Sequence, residues 1–130
     1  MPKPNDDLWP SDLGNTDMVA PVAILREQAS ALGRKTNYIL SGQVETHGIG
    51  GKIHHILYVV APPLDNYKYE VLEVSHEAVF YPLWIRSDDA GVYNKEAKTQ
   101  DEFMQFLKTI LSSEKLKRVI NSLIVQSQAG

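Results

Sequence analysis

Between residues 37 and 86 the chain strings together short runs rich in β-branched and aromatic residues, separated by turn-sized gaps: Asn37–Thr46, Ile53–Ala61, Tyr67–Ser75 and Ala78–Arg86. Such residues suit a pleated, half-buried surface. A parallel neighbour needs a crossover of about a dozen residues, so runs joined by short loops pair antiparallel. The pattern predicts a four-stranded meander.

On both sides the period changes to that of a helix. Asp17 is placed to cap a helix over Met18–Leu32, in which Val22, Leu25, Ala29 and Leu32 share one face and Pro21 falls in the first turn. Gly33 stands where a C-cap is expected, and Arg34 and Lys35 suit the negative end of the helix dipole. Further on, Thr99 and Glu102 form a capping box. Phe103, Phe106, Leu107 and Ile110 then make one amphipathic stripe, and Leu116, Val119, Ile120 and Leu123 make a second. All eight are expected to be buried. Ser112 or Ser113 interrupts the stripes, which fits two tandem helices or one long helix bent at the serines. Residues 87–98 read as a polar connection. The fold class is α+β, with an N-terminal helix and two C-terminal helices packed on the meander. Residues 1–17 form an irregular arm and residues 18–130 a single domain.

If Gly48–Gly51 is a four-residue loop, His47 faces Lys52 and Glu45 faces His54. One sheet face then carries Leu40, Val44, Leu57 and Val59, with His55 at its margin. The other carries Glu45 and His54 beside an apolar patch of Ile39, Ile56, Tyr58 and Val60. A sheet with one wet face should alternate more sharply. Part of this second face is therefore expected to be covered by the first helix, by the arm or by a second subunit.

Composition narrows the chemistry. The chain has no cysteine, which removes disulfides, thiolate metal sites and cysteine nucleophiles. No basic start leads into an apolar run, and no stretch approaches the ~20 residues needed to cross a bilayer. The expectation is a cytoplasmic protein without membrane or cofactor. The net charge of −3 is uneven: Lys3 against four aspartates gives −3 over residues 1–17, while Lys108, Lys115, Lys117 and Arg118 against Glu114 give +3 over residues 104–130. Both charged segments are ordinarily solvated, and four basic residues near one helix are a poor nucleic-acid signal in an acidic protein. Leu8 and Trp9 stand out in the arm, because a large apolar pair usually docks on something.

Four histidines are the sharpest chemical candidates. With Val60 opposite Tyr67, Glu73 would lie opposite His54, and Glu45, His54 and Glu73 would form a row across three strands. Two carboxylates and an imidazole can hold a divalent metal or tune a histidine for acid–base work. The plainer reading is a ladder of cross-strand ion pairs. Gly48–Lys52 lacks the Ser/Thr after the lysine and leads into a strand, so it is not a phosphate loop. Ser75–His76 has no nucleophile elbow around it. The functional expectation is a small non-catalytic protein-binding module of inhibitor, immunity or accessory type, homodimeric, with Trp9, Ile56, Tyr58 and Val60 as contacts. The competing expectation is a small metal- or ligand-binding enzyme built on the histidine and glutamate row.

Overall fold

The computed structural model describes residues 1–130. From the N-terminus the elements are α1 (Pro21–Lys35), β1 (Ser41–Ile49), β2 (Lys52–Ala61), a 3-10 turn (Pro62–Leu64), β3 (Tyr67–His76), β4 (Leu83–Ser87), β5 (Val92–Ala97), α2 (Gln100–Leu111) and α3 (Glu114–Ala129). The strands form one antiparallel sheet in the order β1-β2-β3-β4-β5. The fold is α+β as expected, but the sheet has five strands rather than four. The fifth lies inside the stretch read as a polar connection. Only Val92 and Ala97, at its two ends, are buried, so β5 shows no alternation to read. No helix is long and apolar enough to cross a membrane.

Other boundaries move for local reasons. Asn37 and Tyr38 have φ of 52° and 62°, so the first strand cannot begin before them and starts at Ser41. Asp17 caps nothing: α1 begins at Pro21 behind Ala20, with no side-chain cap. Gly33 is inside α1, which ends at Lys35 and is capped by Thr36, whose hydroxyl donates to Leu32 O at 3.0 Å and accepts from Leu40 N–H at 3.2 Å. The C-terminal stripes form two helices. Thr99 caps α2 by accepting from Glu102 N–H, and Ser113 caps α3 by accepting from Leu116 N–H.

The hairpin registers also differ from expectation. Gly50 and Gly51, at φ of 60° and 79°, make a two-residue turn, so Ile49 rather than His47 pairs with Lys52. Left-handed backbone at both positions is why glycine fills both. The slip is two residues, and a slip of two leaves every side chain on its face. In the second hairpin Val60 pairs with Lys68, and a bulge follows between Leu57 and Tyr58. The bulge lets Val71 and Leu72, adjacent in sequence, both be buried.

All three helices cover one face of the sheet. Ile24, Leu25 and Ala29 of α1, Phe103, Leu107 and Ile110 of α2, and Leu116 and Leu123 of α3 join Leu57, Val59, Leu72, Val74, Leu83 and Ile85 in one core. Of the eight helical residues expected inside, Phe106, Val119 and Ile120 are only half-buried, lying at the flanks of the stripes.

Candidate open-face site

With the helices all on one side, the opposite face of the sheet has no layer over it. The pairings Gln43↔Tyr58, Glu45↔Ile56, Ile56↔Glu73, His54↔Ser75, Ser75↔Trp84 and Glu73↔Arg86 run across this face from β1 to β4. Ile56, Tyr58, Val60 and Trp84 are half-buried there. Their neighbours shield them. Lys68 Nζ sits 4.2 Å over the Tyr58 ring, and Lys52 Nζ sits 4.5 Å over Trp84. Long basic side chains lay apolar stems and a cation over aromatic faces in this way.

Charged side chains are ordered beside the β2 residues and between them and Trp84. Arg86 Nη2 donates to Glu73 Oε2 at 2.9 Å and to Glu70 Oε2 at 3.0 Å, and His54 Nδ1 lies 3.1 Å from Glu73 Oε1. Burial works to raise the Glu73 pKa, but the hydrogen bonds from Arg86 and His54 outweigh it and hold the carboxyl below its usual range. Arg86 is in turn held more firmly protonated by the hydrogen bond to Glu73. Glu45 is paired elsewhere, with Lys68 and with His47 at 3.4 Å, and the Lys68 hydrogen bond lowers its pKa.

These positions place the row proposed from sequence. His54 does meet Glu73, diagonally rather than directly opposite, because Glu73 pairs with Ile56. Glu45 lies one pair further along and turns to Lys68. No three acidic or histidine side chains come together around a point where a metal ion would sit. His54 and Glu73 have the form of a base with its orienting carboxylate, and Ser75 is the cross-strand partner of His54. No hydrogen bond joins Ser75 to His54 or to any other side chain, so a nucleophile is not assembled with them.

Two further histidines meet behind this face, in the core. His55 and His76 are 4% and 2% exposed. Thr46 Oγ1 lies 2.8 Å from His55 Nδ1, His55 Nε2 lies 3.0 Å from His76 Nε2, and His76 Nδ1 lies 2.6 Å from the Glu77 carbonyl oxygen. A carbonyl only accepts, so His76 Nδ1–H donates to it. His76 Nε2 therefore accepts from His55 Nε2–H, and His55 Nδ1 accepts from the Thr46 hydroxyl. One arrangement of protons, with both rings neutral, satisfies every atom. A second positive charge would force two N–H groups to face each other.

Burial, then repulsion from His76 and Arg26, lowers the His55 pKa from 6.5 to about 4. Between those values the unfolded chain takes up a proton that the folded chain refuses. The stability is therefore whole above pH 6.5 and is lost as the pH falls toward 4. We expect a loss of roughly 2–3 kcal/mol across this window in urea unfolding. His55→Gln should flatten the curve, and superimposable wild-type and variant curves would contradict the assignment.

Sequence reasoning placed Ile56, Tyr58 and Val60 on this face and missed Lys52, Lys68, Trp84 and Arg86. Trp84 and Arg86 were legible as alternate positions in the fourth run. Trp9, the remaining contact expected from sequence, is 76% exposed on the arm and is not part of the face. No protein-family model, curated protein or solved structure matches the chain.

Proposed function

We propose that the protein is a small non-catalytic binding module, of inhibitor, immunity or accessory type, that works through the open face of its sheet. One observation carries the reading: the apolar strip Ile56, Tyr58 and Val60 along β2, with Trp84 beyond Glu73 and Ser75 on β4, is bordered by a fixed pattern of charge and has no layer of its own over it. An apolar strip rimmed by ordered charge is the usual anatomy of a protein-binding surface. In the absence of another partner the face meets a second copy of itself, because a twofold contact needs only one self-complementary patch. Glu73, Arg86, Lys68 and Glu45 place both signs of charge around that strip, so a twofold contact can set opposite charges against each other. The cysteine-free chain suits a reducing compartment, and we place the module in the cytoplasm.

Sedimentation equilibrium tests the reading. The unmodified protein should behave as a dimer of 14.6 kDa chains at tens of micromolar. Ile56→Asp, which sets a carboxylate in the centre of the strip, should give soluble monomer with unchanged helical and sheet content. A monomeric wild type, or a dimer indifferent to this substitution, would remove the open face from the account.

A further inference from the structure

At the end of the sheet where β1 begins, a groove of about 640 Å³ lies between α3 and the start of β3. Leu64, Val119 and Leu123 give it an apolar floor, and Tyr67 forms a wall. Its two charged lining residues, Lys115 and Arg118, are both cations. Lys115 already pairs with Asp89 at 3.3 Å, whereas Arg118 makes no ion pair within the chain. An apolar trough with a cationic rim calls for an occupant that joins a large apolar side chain to carboxylates.

The same chain carries such a segment. Residues 1–19 are all exposed, with Leu8 at 70% and Trp9 at 76%, and Asp6 and Asp7 immediately precede them. The side-chain hydrogen bonds of the arm stay inside the arm, as in Trp9 N–H to Asp7 Oδ1 at 3.0 Å. We propose that the groove receives the Asp6–Pro10 segment of a second copy of the chain, with Trp9 on the apolar floor and the two aspartates on Arg118 and Lys115.

Direction favours a second copy over the chain's own arm. Ala29, in the middle of α1, abuts Gly42 at the start of β1, and α1 leads into β1 through residues 36–40. The N-terminus of α1 therefore points to the far end of the sheet. An arm reaching its own groove must turn back along a helix about 22 Å long. Trp9 precedes Pro21 by 12 residues (21 − 9), a span of up to ~40 Å that allows either route, and within the single chain the arm stays exposed instead of turning back.

This inference deepens the homodimer reading, and its test separates the two. Sedimentation equilibrium on full-length protein compares wild type, Trp9→Ala, Arg118→Glu, the swap Asp7→Lys with Arg118→Glu, and Ile56→Asp. Both arm and groove substitutions are expected to weaken dimerisation at least about tenfold, as loss of a buried tryptophan or arginine anchor does. The swap should recover most of that loss. If Ile56→Asp separates the subunits while Trp9→Ala and Arg118→Glu change the constant less than about twofold, the open face stands and the arm contact falls. The chain has no cysteine, so one environment-sensitive dye attached through Leu8→Cys reports the arm alone, and its emission should shift to the blue as concentration rises. A blue-shifted emission independent of concentration would place the arm in its own groove and overturn the exchange.

Discussion

Replacing Gly42 by alanine is expected to destabilise the protein by about 3 kcal/mol or more. A Cβ at this position would fall 2.4 Å from Ala29 Cα, 2.6 Å from Ala29 Cβ and 2.7 Å from the Ala29 carbonyl oxygen. Two of those atoms are backbone, so no rotamer change relieves the contact. The whole of α1 must lift from β1, carrying Ile24, Leu25 and Ala29 partly out of the core. Overpacked cores ordinarily lose 1–3 kcal/mol, and a clash with helix backbone belongs at or beyond the upper end. Trimming the partner does not help, because Ala29→Gly leaves the 2.4 Å contact with Cα in place. The double variant Gly42→Ala/Ala29→Gly should therefore remain as unstable as the single one in urea unfolding. A loss under 1 kcal/mol would mean that α1 does not lie on β1 as described.

Phe103→Ala is expected to cost about 3–5 kcal/mol. Phe103 is fully buried in the first turn of α2, directly after the Thr99 cap. Its ring belongs to the same core as Leu83 and Ile85 of β4, and α2 lies against β4 and β5. Phe106, one turn further, is half-buried at the edge of the stripe, and its truncation should cost only about 1–2 kcal/mol. The order of the two losses is the informative result. Equal losses, or a larger one at Phe106, would rotate α2 about its axis relative to the sheet.

That contrast shows what the sequence could and could not specify. The helical stripes were legible because a period of 3–4 residues survives errors at either end, and Thr99 and Ser113 mark their own starts. How far each stripe residue goes inside depends on the partner layer, so Phe103 and Phe106 looked alike. The sheet faces were legible because a two-residue slip at Gly50–Gly51 returns every side chain to its side. The positions opposite one another were not, since they hang on the turn and on the bulge beside Tyr58. β5 was invisible because four of its six residues are exposed.

The candidate site followed the same division. Ile56, Tyr58 and Val60 could be assigned to the second face by parity alone, and the helices' placement on the first face is what left that second face open. His54 and Glu73 were brought together by a register that proved wrong in detail, because a diagonal pair lies close enough to touch. The His55–His76 pair escaped notice although both residues occupy inward positions, next to Leu57 and Val74 in the alternation. A histidine at an apolar position of a strand was the available signal.

The open sheet face is the centre of this account, and the most direct measurement of it uses the absence of cysteine. A single nitroxide attached through Ser75→Cys would sit on that face, beside Trp84 and His54. In a face-to-face dimer two sheets stack ~10 Å apart, so the two labels should couple strongly in a dipolar distance measurement, and Ile56→Asp should abolish the coupling. A dimer whose labels at residue 75 show no coupling, with the same label at the helix-side residue Gln105 coupling instead, would place the contact on the opposite side of the molecule and contradict the account.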